Sequence, residues 1–149
     1  MAEKDQEMRI GSQKPGSEVK YDIEVDKSNA KRLREIVEEI GWPTIPKVGE
    51  EASYAAWLLI QHADFDPDFQ DKCLSLMKAA KKGEVLPANI AYLTDRVAVA
   101  KGEDQIFGTQ FQNNKDGKNV PKPIQDIKHL EARRNEMGLE PFDTYQQKM

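Results

Sequence analysis

The sequence predicts a mainly α-helical, compact domain of about five to six helices with a small β-hairpin near residues 105–124. Three observations predict it. Apolar residues recur every three or four positions, as in Leu33, Ile36, Val37 and Ile40, and again in Phe69, Cys73, Leu76 and Ala80; this is the period of a helix face. Glycine or proline punctuates these runs, at Gly41, Pro67, Gly83, Pro87, Gly102 and Gly138. The period changes after residue 104. There Ile106 to Gln112 is followed by the turn-rich Asn113-Asn114-Lys115-Asp116-Gly117-Lys118, which is a hairpin pattern.

Each element follows from local chemistry. Residues 1–18 are expected to hold a short N-terminal helix and a flexible linker, since Gly, Ser and Pro cluster from Gly11 to Glu18. Val19, Tyr21, Ile23 and Val25 alternate with polar residues, the period of a short strand. The first long helix is expected to start near Asp26 or Ser28, either of which can cap free N–H groups. It should end at Gly41, with Pro43 just beyond. Trp42 to Pro46 reads as an extended connector. A second helix is expected from about Gly49 to His62, its Ala52, Ala55 and Ala56 permitting close packing. Asp66 suits the N-cap of a third helix, and Pro67 its first position. Lys78, Lys81 and Lys82 favour the negative end of that helix, which Gly83 closes. Pro87 opens a fourth helix and Gly102 terminates it. A fifth should span about 124–137 and stop at Gly138. The tail, residues 139–149, carries Pro141, Phe142 and Tyr145 and is expected to dock on the surface.

Composition narrows the class. The 149 residues make a single domain of 1–149 the expectation, at roughly 100–200 residues per domain. Lys and Arg number 22 against 26 Asp and Glu, a net charge of −4, with 38% hydrophobic residues. Mixed charge at this apolar content argues against wholesale disorder. A mildly acidic chain lacks the basic footprint of a nucleic-acid binder. No apolar run approaches the ~20 residues of a membrane span. Neither nucleic acid nor membrane is therefore an expected partner. Met1-Ala2-Glu3-Lys4-Asp5 has no apolar signal-peptide core, so the expected location is cytoplasmic. The single cysteine, Cys73, excludes an internal disulfide framework and a Cys-rich zinc module.

Familiar catalytic motifs are missing. There is no Walker or Rossmann glycine loop and no G-x-S-x-G elbow. Cys73 sits among Leu74, Leu76 and Met77, as an inert core thiol does. Attention falls on polar residues in apolar places. His62 lies seven residues after Ala55 and three after Leu59, on or beside the packed face of its helix. A lone histidine there is most often structural. Its functional reading is a general acid or base, because histidine titrates near neutral pH. Asp64, two residues on, can orient the imidazole or cap the loop. Gln70 shares a face with Cys73 and Leu74, and an inward amide needs partners. Asp95 falls near the core edge and needs pairing. Arg96 can bind a ligand carboxylate or phosphate, with Tyr92 one turn before it. Gly108 inside a strand signals a bulge or a close backbone approach. Arg133 and Arg134 read as a solvated helix face. His62 with Asp64 makes a poor metal set, because Asp66 and Asp68 have capping roles and His129 is remote. Neither metal nor cofactor is expected.

Several of these residues fall in short motifs. Asp5-Gln6-x-x-Arg9, Gly41-Trp42-Pro43-Thr44, Trp57-Leu58-Leu59-x-Gln61-His62-Ala63-Asp64, Leu93-Thr94-Asp95-Arg96-Val97 and Gly108-Thr109-Gln110 resemble the motifs of a bacterial family of unknown function. The resemblance extends over nearly the whole chain. Phe107 departs from it, standing where the family pattern has Tyr. The resemblance brings no reaction, substrate or cofactor. It does imply the polar positions of the motif: Gln6, Arg9, Gln61, His62, Asp64, Gln70, Asp95, Arg96, Gln105, Thr109 and Gln110.

The expected function is small-molecule acid–base chemistry of hydrolase, lyase or transferase type. His62 would be the acid or base, with Asp64 or Asp95 as its orienting carboxylate. Arg9 and Arg96 would bind a polar or anionic substrate, and Gln6, Gln61, Gln70, Gln105, Thr109 and Gln110 would supply neutral hydrogen bonds. The alternative is a non-enzymatic ligand-binding or protein-interaction domain braced by a structural polar network.

Overall fold

The structure is a computed structural model that describes Glu3 and residues 23–149. It is mainly helical, with one small antiparallel ribbon. The chain divides into two compact units, Met1–Glu84 and Val85–Met149.

In the first unit, α1 spans Ile23–Ile40, α2 Ile45–Val48, α3 Glu50–Gln61 and α4 Pro67–Ala79. Helix α1 buries Ala30, Leu33 and Val37; of the stripe its spacing predicts, Ile36 is half-buried and Ile40 is exposed. It begins earlier than its candidate caps. Ile23 to Val25 form its first turn instead of the end of a strand, while residues 19–22 lie outside the described residues. Glu24 and Asp26 occupy that first turn, where carboxylates favour the positive end of the helix. Gly41 follows with φ 72°, a left-handed residue that suits glycine. Lys47 Nζ then donates to the carbonyls of Ile40 and Trp42. The connector is consequently turned and not extended: Thr44 N–H bonds the Trp42 carbonyl at 2.9 Å and α2 follows at once.

Helix α3 packs against α1 and buries Ala56, Leu59 and Ile60. Asp66 caps α4 as predicted, its Oδ1 accepting from Phe69 N–H at 3.1 Å. The other carboxylate oxygen holds Arg34, whose guanidinium lies 4.1 Å from the centre of the Phe69 ring. Helix α4 stops at Ala79, short of the expected Gly83. Beyond it, Glu84 accepts from Lys81 N–H through its side chain and from Ile45 N–H through its carbonyl, so Lys81 belongs to a turn.

Cys73 is fully buried on α4, and burial pushes its thiol up to about 12 from the ordinary 9.0. The thiolate is the reactive form. Native protein at pH 8 should therefore resist alkylation by iodoacetamide and react only after denaturation. Rapid labelling of the native chain, followed by mass spectrometry, would contradict this packing. Because the folded state holds the proton more tightly, the thiol's contribution to stability is complete below pH 9.0. It is lost as the pH climbs toward 12.

In the second unit, α5 spans Pro87–Ala100, β1 Phe111–Asn113 and β2 Asn119–Pro121; a 3-10 turn at Ile127–His129 leads into α6, Leu130–Glu136, and α7 is Phe142–Lys148. The strands pair antiparallel with Phe111 opposite Pro121 and Asn113 opposite Asn119. Asn114 closes the ribbon, its Oδ1 accepting from the N–H groups of Asp116 and Lys118. The ribbon is shorter than expected, because residues 106–110 leave the strand path to wrap a buried carboxylate. The expected helix at 124–137 also starts late. Arg133 holds the carbonyls of Gln125 and Asp126 at 2.7 and 2.9 Å, and Asp126 adopts a left-handed φ of 44°. The tail forms a helix and buries Phe142. Among the described residues, no helix is long and apolar enough to cross a membrane.

Candidate functional site

Two polar centres emerge, one in each unit. The first is the turn between α3 and α4. Helix α3 ends at Gln61, and His62 is its C-terminal cap residue, with φ −92° and ψ 2°. His62 is half-buried and Gln61 is buried. Asp64 is exposed on the following turn. Gln70 reaches this turn from the first part of α4. Its amide nitrogen donates to the Ile60 carbonyl and to Asp64 Oδ1, both at 3.1 Å. With 1% of its surface exposed, Gln70 is a buried amide that fixes both the end of α3 and the carboxylate beyond His62. The spacing thus brings Gln61, His62, Asp64 and Gln70 to one corner of the first unit.

The second centre is Asp95 on α5, which is fully buried. Its Oδ1 accepts from the N–H groups of Ile106 and Phe107 at 2.7 and 2.9 Å. Its Oδ2 accepts from Thr109 N–H and Thr109 Oγ1, both at 2.9 Å. Four donors therefore converge on one carboxylate, which is how a charge becomes tolerable in a protein interior. Gln105, also fully buried, closes the same loop. Its Nε2 donates to the carbonyls of Gln110 and Lys122, and its Oε1 accepts from Gln110 N–H at 2.8 Å. Gln110 Nε2 in turn donates to Thr109 Oγ1 at 3.2 Å. Asp95, Gln105, Thr109 and Gln110 thus hold one another and the backbone between them. Arg96 is half-buried on α5. Gln6 and Arg9 lie outside the described residues.

Contrary to the expectation from the sequence, Arg133 and Arg134 do not form a solvated helix face. Arg134 is 1% exposed. Its Nε and Nη1 donate to the carbonyls of Glu140 and Phe107 at 2.8 and 2.6 Å. The guanidinium sits 5.0 Å from the Tyr145 ring centre and 5.5 Å from that of Phe142, within cation–π range. Arg133 Nε adds a bond to the Ile106 carbonyl at 2.9 Å. Both arginines thus grip the outer side of the loop that Asp95 grips from within. A sequence signal existed: Leu130, one turn before Arg134, is itself buried and marks that face as inward. Burial and the neighbouring Tyr92 push the Tyr145 hydroxyl above its ordinary range, so it stays protonated at neutral pH. Among the described residues, no group of three or more His, Cys, Asp or Glu is placed to hold a metal.

The polar words of the sequence thus resolve into a histidine corner and a locked loop, on a mainly helical scaffold. The chain belongs to the family of unknown function DUF6624, whose model matches residues 1–149. No curated protein and no solved structure matches the chain.

Proposed function

We propose that the corner between α3 and α4 is the seat of acid–base chemistry on a polar or anionic small molecule, of hydrolase, lyase or transferase type. One observation carries this reading. A buried amide, Gln70, is committed to holding the exposed carboxylate of Asp64 two residues from a half-buried histidine. A capping role alone does not need that bond, because the cap of α4 is already supplied by Asp66. In this reading His62 transfers the proton, Asp64 tunes or orients it, and Gln61 contributes a neutral hydrogen bond. The loop residues of the second unit are scaffold and take no part in proton transfer.

A metabolite-library thermal-shift screen on the full chain tests this. A ligand present at one hundred times its Kd stabilises the fold by about 2.7 kcal/mol. The hit is then assayed for turnover. His62→Ala should leave the protein folded and lower kcat by roughly 10²- to 10⁴-fold, the usual share of a general acid or base. Turnover at the wild-type rate in that variant would sink the proposal.

A second reading, binding without catalysis, is favoured by a separate observation. A cavity of about 300 Å³ in the first unit is lined by Leu33, Ile36, Pro43, Val48, Ala55 and Leu59. Such a wall suits the apolar part of a ligand. Under this reading a hit from the same screen binds, is not converted, and keeps its affinity in His62→Ala.

A further inference from the structure

We infer that the loop of residues 105–110 is a preformed receptor for a small monocarboxylate, and that Asp95 is its tethered occupant. In the intact chain the receptor is filled and takes no anion from solution. Vacated by Asp95→Gly, it binds formate. This receptor is independent of the histidine corner.

The pattern of donors is that of a bound carboxylate. Two donors meet each oxygen of Asp95, at 2.7 to 2.9 Å. Three of the four are backbone N–H groups, as in the anion-binding nests of turns. What holds these donors in place lies outside Asp95. Gln105 ties itself to the Gln110 backbone through both atoms of its amide, and also to the Lys122 carbonyl. Arg133 Nε donates to the Ile106 carbonyl, and the N–H of that same peptide is the Phe107 donor to Asp95. A guanidinium on the far side of a peptide polarises it and strengthens its N–H as a donor. Arg134 Nη1 holds the Phe107 carbonyl. None of these bonds passes through Asp95, so the donors stay converged when its side chain is removed.

Charge sets the ligand class. Arg134 is as deeply buried as Asp95, and its partners are carbonyls and aromatic rings. Asp95 accepts the N–H of Phe107 and Arg134 donates to the carbonyl of the same residue. The two buried charges therefore compensate each other across one residue of backbone. Removing Asp95 leaves the cation buried without its anion, which is strongly unfavourable. A single negative charge restores the balance, and a dianion would overshoot it. Formate carries that charge on two oxygens of one carbon, with no further group to accommodate. Glycine is the right replacement because it also removes Cβ, which would crowd an untethered formate.

The full-length wild type and Asp95→Gly are titrated with sodium formate, sodium chloride keeping the ionic strength constant. In proton–nitrogen correlation spectra, formate should move the Ile106, Phe107 and Thr109 amide signals of Asp95→Gly saturably toward their wild-type positions. Formate at about ten times the Kd so measured should lower the urea unfolding constant of this variant about tenfold. Formamide, which has nearly the shape of formate without its charge, should produce neither effect, and formate should produce neither in wild type. Amide signals that stay where they are, an equal response to formamide, or equal stabilisation of wild type would each overturn the receptor. If Asp95→Gly does not fold in chloride alone, recovery of native far-UV circular dichroism in formate supports it, and no recovery there overturns it.

Discussion

Asp95→Ala is expected to be the most damaging single truncation in the second unit, costing on the order of 3–5 kcal/mol. The reason is what remains behind. Removing the carboxylate strands the N–H groups of Ile106, Phe107 and Thr109 together with the Thr109 hydroxyl. Each buried donor left without a partner costs about 1–3 kcal/mol, with some relief from relaxation and water entry. Asp95→Asn should be milder, at roughly 1.5–3 kcal/mol. Its remaining oxygen can still serve Ile106 and Phe107, and Thr109 Oγ can turn to accept from the new amide. The Thr109 N–H and the Thr109 hydroxyl proton would then both lose the acceptor they share in Asp95 Oδ2. Urea denaturation gives the ranking: wild type above Asn, Asn above Ala, with the m-value retained. If Asn proved as damaging as Ala, the charge itself would be holding the loop, and the division of labour between the two oxygens would be wrong.

The same residue shows what was legible in the sequence. Helix ends were legible because their chemistry is local. Asp66 caps α4 and Pro67 opens it, and Gly41 takes the left-handed turn after α1. A position for Asp95 near the core edge was legible from helical period, and so was its need for partners; its complete burial was not. Its partners were not, since they lie 11 to 14 residues downstream in a segment whose apolar residues imitate a strand. The pattern of Ile106 to Gln112 reads as alternating faces, whereas Gly108 and Thr109 are buried side by side. That pattern does not encode that the backbone N–H groups point at a carboxylate instead of a neighbouring strand. Arg134 departs from its pattern for a related reason. A charged residue on a helix ordinarily faces solvent, and this one is buried because carbonyls of the loop and tail and the tail's aromatic rings surround it. Of the site, the residues at His62 were placed by spacing alone, because Gln70 sits close to them along the chain. The roles assigned to Asp95, Gln105 and Gln110 needed the long-range hydrogen bonds.

Gly108→Ala should cost roughly 2–5 kcal/mol, from two effects that can be separated. The backbone at Gly108 has φ 69°, a left-handed conformation that costs a residue with a Cβ about 1–2 kcal/mol. The added carbon would also lie 2.7 Å from Phe142 Cε2 and 3.3 Å from Ile124 Cδ1, and overpacking of this kind costs about 1–3 kcal/mol. Phe142 cannot simply swing aside. Its ring stacks 6.4 Å from Phe111, and its backbone N–H bonds Glu131. Phe142→Ala removes the obstructing ring and creates space beside Gly108. In a double-mutant cycle the penalty of Gly108→Ala should therefore shrink, in the Phe142→Ala background, to the backbone contribution of about 1–2 kcal/mol. A coupling of about 1 kcal/mol or more is the expected result. Strict additivity would mean that the ring and the glycine do not meet in solution, and that the tail helix does not rest on the loop that Asp95 holds.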